Sequence, residues 1–200
     1  MNEIHIRPAQ RCDAADLAII DNMAGHGISL WFWLQDNGGD RLEEAIAYGR
    51  SRMMKDDSIY GWSNARVAVQ DDIIFGAHTS YIMPAPEPDS SNSDQFKRTT
   101  SALRPVFELF DQCSDHWFVD SLAVYPDRRG AGTGALLIDD SLQSAKGSGQ
   151  NIVNLVVEDS NISAFRLYKS RGFEVVDSRP FIQFNGPSQT KEWLLMEASI

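Results

Sequence analysis

An α/β or α+β sheet whose later strands are joined by crossovers is the fold class the sequence predicts, and three observations predict it. Short β-rich runs alternate along the chain with stretches whose apolar residues recur at helical spacing. Residues 65–70 and 73–83 flank Asp71-Asp72 so closely that only an antiparallel hairpin can connect them. From Trp117 onward the order is strand, glycine-rich turn, helix, strand, helix, strand, which requires a parallel step.

Ile4 and Ile6 alternate with polar neighbours before Pro8 and predict a first strand, and residues 13–23 carry the spacing of a helix. An apolar aromatic run, 28–34, follows Gly25 and Gly27. Asn37-Gly38-Gly39 breaks the chain, and Leu42, Ala45, Ile46 and Tyr48 predict a second helix running to about Met54. After the hairpin, residues 84–95 hold Pro84, Pro86 and Pro88 with little apolar material and predict a mobile surface loop. Val106, Phe107, Leu109 and Phe110 predict a short helix with Pro105 in its first turn. Residues 117–124 read as a strand, 132–145 as a helix, 152–157 as a strand and 162–170 as a helix stopped by Gly172. Strands at 173–178 and 192–197 complete the series. No internal repeat is evident, and the whole of 1–200 reads as one domain, with 84–116 inserted between sheet strands.

The composition is that of a globular protein, 42% hydrophobic and 23% charged. A formal charge of −10 argues against nucleic acid or an anionic membrane as partner, because either needs a cationic surface; a cationic amine substrate fits better. Cys12 and Cys113 form no metal-ligand or disulfide pattern and are expected to be free, buried thiols, with no metal bound. Residues 1–7 contain no apolar core of a leader, and no run approaches the ~20 apolar residues of a membrane span, so a cytoplasmic location is expected.

The chemistry concentrates in Arg129-Gly130-Ala131-Gly132-Thr133-Gly134. Three glycines at alternate positions between a strand and a helix leave backbone N–H groups uncovered, the helix start adds partial positive charge, and Arg128 and Arg129 add formal charge. The turn is thus suited to a pyrophosphate, although glycines can also serve tight strand-to-helix packing alone. A Walker A loop would need Lys-Ser/Thr after the last glycine, where Ala135-Leu136 stands. A dinucleotide fold would place the turn after the first strand with an acidic residue ~20 positions on; here Asp139 and Asp140 fall inside the helix, which leaves dinucleotide binding a weak alternative.

Residues 122–137, Leu-Ala-Val-Tyr-Pro-Asp-Arg-Arg-Gly-Ala-Gly-Thr-Gly-Ala-Leu-Leu, resemble the strand, loop and helix motif of the GNAT acyltransferases, whose signature is Gln/Arg-x-x-Gly-x-Gly/Ala; Arg129, Gly132 and Gly134 match it position by position. Residues 161–173, Asn-Ile-Ser-Ala-Phe-Arg-Leu-Tyr-Lys-Ser-Arg-Gly-Phe, look like the family's second motif, Asn-x-x-Ala-x-x-Leu-Tyr-x-x-x-Gly-Phe. The resemblance covers about the last 40% of the chain. It implies a mixed, mostly antiparallel central sheet flanked by helices, and an N-acetyltransferase that moves acetyl from acetyl-CoA to a primary amine by direct attack in a ternary complex.

The same resemblance implies the roles. Gly130, Gly132, Thr133 and Gly134, with Arg129, would hold the CoA pyrophosphate. Leu122, Ala123 and Val124 would pair with the pantetheine amides and offer an oxyanion donor, and Asn161 would bond the cofactor arm or serve only as a helix N-cap. Tyr168 would sit beside the sulfur as general acid. Asp120, where some members carry a catalytic glutamate, is the candidate base, acting through water or simply binding the substrate ammonium. A CoA-binding sensor without turnover is the alternative from another class.

Trp31, Phe32 and Trp33 could wall the acceptor site, although such a cluster is more often core. His26, His78 and His116 stand isolated, and 84–95 reads either as an acidic lid or as a plain insertion. The acceptor (polyamine, aminoglycoside, amino acid or protein N-terminus) and the oligomeric state, a homodimer included, are left open by the sequence.

Overall fold

The computed structural model describes residues 3–36, 41–85, 94–183 and 188–200. They form two compact units, one from Met1–Tyr81 and Asp120–Ser141, the other from Ile82–Val119 and Leu142–Ile200. The expected class is found: seven strands with helices, mostly antiparallel, with one parallel pair among the pairings described.

In the first unit, β1 (His5–Pro8), β2 (Ala65–Gln70), β3 (Ile73–Ile82) and the end of β4 (Trp117–Val124) lie side by side in that order. β2 is buried along most of its length because its two faces meet different apolar groups. Val67 and Val69 join Leu17, Ala18, Ile20, Trp33, Ala45 and Met53 from α1 (Ala14–Ala24), α2 (Ile28–Asp36) and α3 (Leu42–Met53), whereas Ala68 packs with Phe75, Val124 and Leu137. Asp71 and Asp72 take positive φ of 50° and 64°, the backbone a two-residue hairpin needs. Ala68 pairs with Gly76 and Val69 with Ile74, so Phe75 is an extra residue, a bulge whose carbonyl accepts from the Tyr125 N–H.

Gly76 is required by close approach. A Cβ there would stand 2.5 Å from the Ala123 carbonyl oxygen and 3.0 Å from Val124 Cα, backbone atoms that cannot swing aside. Gly76→Ala is therefore expected to lower unfolding free energy by about 1–3 kcal/mol, the usual cost of overpacking, read as a drop in urea midpoint at constant slope.

In the second unit the start of β4 runs parallel to β5 (Ile152–Glu158), and the ladder spans Trp117↔Val153 to Val119↔Leu155. β7 (Glu192–Ser199) pairs antiparallel with β5 and with β6 (Glu174–Pro180). α6 (Ile162–Lys169) ends before Gly172, whose φ of +84° an L side chain would resist. α5 (Thr133–Gly147) begins in the first unit and ends in the second.

Some expectations need correction, and others fall on residues outside those described. Pro105 does not open a short helix: α4 runs Asp94–Phe110 with Pro105 inside it. Leu103, Val106 and Leu109, all under 5% exposed, form a stripe that α4 presents toward β5, β6 and β7, and this burial outweighs the one backbone bond a proline removes. Of the two cysteines only Cys113 is buried; Cys12 is exposed because it lies in a surface 3-10 turn. The aromatic run 28–34 is helical. The expected loop 84–95 falls largely on residues 86–93, and the breaker on 37–39, both outside the described residues; Asp94 and Gln95 already belong to α4.

Candidate active site

The first unit contains the glycine turn. Gly130 and Gly132 adopt φ of +87° and +81°, and a Cβ built on either meets nothing within 4 Å, so backbone conformation rather than crowding demands glycine there. The chain then enters α5 at Thr133. Among the described residues, the N–H groups of 130–134 make no hydrogen bond, the first donation in the helix being from Ala135 to the Gly132 carbonyl. Thr133 Oγ1 is buried and also without a partner. Arg129 Nε donates to the Val124 carbonyl at 3.1 Å and so ties the turn to the end of β4, while the Arg128 guanidinium lies 4.8 Å from the Phe75 ring centroid. A row of unused donors, an orphaned buried hydroxyl and open space above the glycines are what an anionic pyrophosphate would satisfy.

At Asp120 the first unit gathers groups that sequence reading did not associate. Tyr81 Oη donates to Asp120 Oδ1 at 3.1 Å, and the Tyr81 ring stands edge-on to Tyr60 at 6.1 Å. Asp21 lies on α1. Burial pushes the Asp120 carboxyl up to about 7, the charge of Asp21 adds to the shift, and the Tyr81 hydrogen bond opposes it. Burial likewise raises Asp21, against Ser29, Ser121 and Arg52. Tyr60 is pushed up to about 12 by burial and then by Asp120. Asp21, Tyr60 and Tyr81 are thus additions to the sequence-derived set. One signal pointed to Asp21: it follows Leu17 by four residues, on the buried stripe of its helix, where a carboxylate is out of place.

His78 is not isolated. Its Nε2 lies 3.0 Å from Asp140 Oδ2 and its Nδ1 3.0 Å from Ser80 Oγ, to which Ser141 Oγ donates at 3.1 Å. Arg66 Nε donates to the same Asp140 oxygen at 2.6 Å. Burial alone would raise Asp140, but His78 and Arg66 hold it below the ordinary carboxylate range. Trp33 is a core residue, its ring so close to Gly49 that a Cβ there would sit 2.5 Å away, while Trp31 and Phe32 are half-buried and pack edge-on at 5.2 Å.

The second unit contains Asn161 and Tyr168. Asn161 caps α6, its Oδ1 accepting from the Ala164 N–H and Ser163 Oγ, each at 3.2 Å. Tyr168, the next-to-last residue of α6, is 7% exposed and packs on Phe173 at 5.8 Å between centroids. Burial pushes its phenol up to about 12. His116 Nδ1 lies 2.8 Å from the buried Asn154, whose amide donates to Glu197. Among the described residues no cluster of three metal-ligating side chains is found, and no helix is long and apolar enough to cross a membrane.

Residues 91–173 match the model of the acetyltransferase (GNAT) family. Solved structures share the fold over nearly the whole length. A crystal structure of an acetyltransferase is 20% identical, with 98% of each chain covered and a TM-score of 0.66. The Salmonella typhimurium protein yncA, solved with its cofactor acetyl-CoA, is 18% identical, with 99% of this chain and 94% of that one covered and a TM-score of 0.58. An N-acetyltransferase from Staphylococcus aureus Mu50 is 15% identical, with 99% of both covered and a TM-score of 0.60. No curated protein matches the sequence.

Proposed function

We propose that the chain works as one N-acetyltransferase domain, transferring acetyl from acetyl-CoA to a primary amine by direct attack in a ternary complex. The observation that carries the reading is the unbonded row of N–H donors at 130–134 with the orphaned Thr133 hydroxyl, in a segment that matches the GNAT family. That yncA, of the same fold, was solved with acetyl-CoA supports the choice of donor. Arg129, Gly130, Gly132, Thr133 and Gly134 would hold the pyrophosphate, and Leu122, Ala123, Val124 and Asn161 the pantetheine arm. Acetyl-CoA supplies an activated acyl carbon and a leaving thiolate.

The chain's own residues then have two tasks. An alkyl ammonium with a pKa of about 10 must lose a proton before nitrogen can attack, and Asp120, raised to about 7, holds its charge at slightly alkaline pH while still being basic enough to accept that proton. Tyr168, raised to about 12, stays protonated throughout. Because a CoA thiol resembles cysteine at about 8.5, complete transfer from this phenol would run uphill, so Tyr168 acts by donating a hydrogen bond to the departing sulfur. The acidic chain favours a cationic acceptor, and we place the reaction in the cytoplasm.

Thermal unfolding with CoA and with NAD(P) tests the donor site, since a ligand stabilises only the state it binds. CoA should raise Tm and NAD(P) should not. Acetyl-CoA consumption with a panel of primary amines, followed as free thiol, tests turnover. Protection by NAD(P) instead of CoA overturns the reading, and CoA binding without any amine-dependent release of thiol reduces the protein to a CoA-binding sensor.

A further inference from the structure

Arg52 stands in the last turn of α3, where a cation complements the partial negative charge of the helix end, and Tyr48 lies one turn before it on the same face. The guanidinium carbon is 6.0 Å from the Tyr48 ring centroid and 6.0 Å from that of Tyr60, so aromatic rings flank the fork. Asp36, the last residue of α2, accepts from Nη1 at 3.4 Å, a long contact for a charge-assisted bond. Among the described residues the fork makes no other hydrogen bond, and the side chain is 33% exposed. Stacking of this kind fixes the plane of a guanidinium and leaves donors along its edge to a planar anion.

Tyr60 connects this cation to the proposed base. Its ring is edge-on to Tyr81 at 6.1 Å, and Tyr81 Oη donates to Asp120 Oδ1 at 3.1 Å. Beyond the effect of burial, the Tyr60 phenol is raised by the charge of Asp120 and lowered by that of Arg52, so both groups bear on one hydroxyl. Tyr60 is 41% exposed, which leaves part of the residue between them open to an incoming molecule.

We propose that Arg52 anchors an anionic group of the acceptor, and that the acceptor is an amino carboxylate: its ammonium goes to Asp120, its carboxylate to the open edge of the Arg52 fork, and Tyr60 lies between. The inference rests on the acetyltransferase reading and names the substrate class of that site. A guanidinium edge fits the oxygens of a carboxylate or of a phosphate. Here a single cation, its charge already partly offset by Asp36, matches a monoanion, which selects the carboxylate. A zwitterion also suits a chain of charge −10, because it brings an ammonium and needs a cation only at its other end. Polyamines and aminoglycosides have no group for Arg52.

Matched acceptors test the anchor: amino acids of increasing amine-to-carboxylate separation, each against its carboxamide, which keeps the amine and the size and loses the charge. The amine of the amide is the less basic and the more readily neutral, so without an anchor the amide should react at least as fast. With the anchor, at least one amino acid should exceed its amide by about 10- to 100-fold in kcat/KM, mainly through KM. Arg52→Gln should bring that ratio to about one, and Arg52→Lys, which keeps the charge without the fork, should retain part of it. A packing role would lower acid and amide alike and leave the ratio standing. The wild-type ratio needs no variant, so the test survives a misfolded Arg52→Gln. Calorimetric titration of the same pairs into the CoA-loaded protein reads the anchor without turnover. Amides or polyamines used as well as amino acids, a ratio unmoved in folded Arg52→Gln, or failure of every amino acid to bind or react overturns the anchor. If amides are acetylated without preference for the acids, the anchor falls alone; if acids bind ahead of amides through Arg52 and no thiol is released, the acetyltransferase reading falls alone.

Discussion

Tyr168→Phe is expected to lower kcat by roughly 10²-fold or more while CoA affinity stays within about twofold. Removing one donor aimed at developing charge costs that much in enzymes where it has been isolated. The ring is retained, so its packing on Phe173 and the end of α6 should survive. Steady-state kinetics separates the rate effect, and calorimetric titration with CoA gives the affinity. The pH profile adds a sharper check. A phenol at about 12 does not ionise in the working range, so the wild-type rate should show no fall up to about pH 10 that Tyr168→Phe abolishes. Equal losses of rate and CoA affinity would instead assign the residue a packing role.

Asp120→Asn is expected to act in opposite directions on activity and on stability. As the loss of a general base it should cut kcat/KM by about 10²–10⁴-fold. The folded protein keeps the Asp120 proton up to about pH 7, whereas the unfolded chain releases it near 4. Between those values the native state binds more protons, so this group makes stability fall as pH rises. Asparagine removes that cost and can still accept from Tyr81. The variant should therefore be more stable than the wild type at pH 8, on the order of 2 kcal/mol after allowance for partial solvent exposure, and the difference should vanish near pH 4. Urea unfolding at the two pH values measures both. Asp140, held low by His78 and Arg66, behaves oppositely: its contribution is present above the unfolded value and is lost as pH falls.

The strand and helix order was readable because each element carries its own period. β4 and the hairpin of β2 and β3 were predicted to within a residue, and the glycines with positive φ at 130, 132 and 172 lie where a turn or helix stop was expected. α4 was misjudged because a local rule, proline at a helix start, competes with burial of Leu103, Val106 and Leu109, which depends on strands β5, β6 and β7 that come much later in the chain. For the proposed site, the family resemblance pointed to Asp120, Tyr168 and the glycine turn, and the turn was legible because a phosphate-binding backbone leaves a mark in glycine spacing. Asp21 and Asp120 are 99 positions apart, and Tyr60 and Tyr81 read as ordinary aromatics. Nothing local in the sequence says that four elements bring them to one place.

The Ser80, His78 and Asp140 chain has the connectivity of a hydrolytic triad, a hydroxyl on one imidazole nitrogen and a carboxylate on the other. Any search that recognises nucleophilic serines by distance alone would score it as one. Yet Ser80 is 4% exposed and His78 1%, the ring nitrogens are used in the reverse sense, and Arg66 shares the carboxylate. A serine-directed phosphonate would find no way in. What separates a reactive serine from an internal clamp here is enclosure, so inhibitor profiling of this protein should be read with triad geometry discounted and access weighed first.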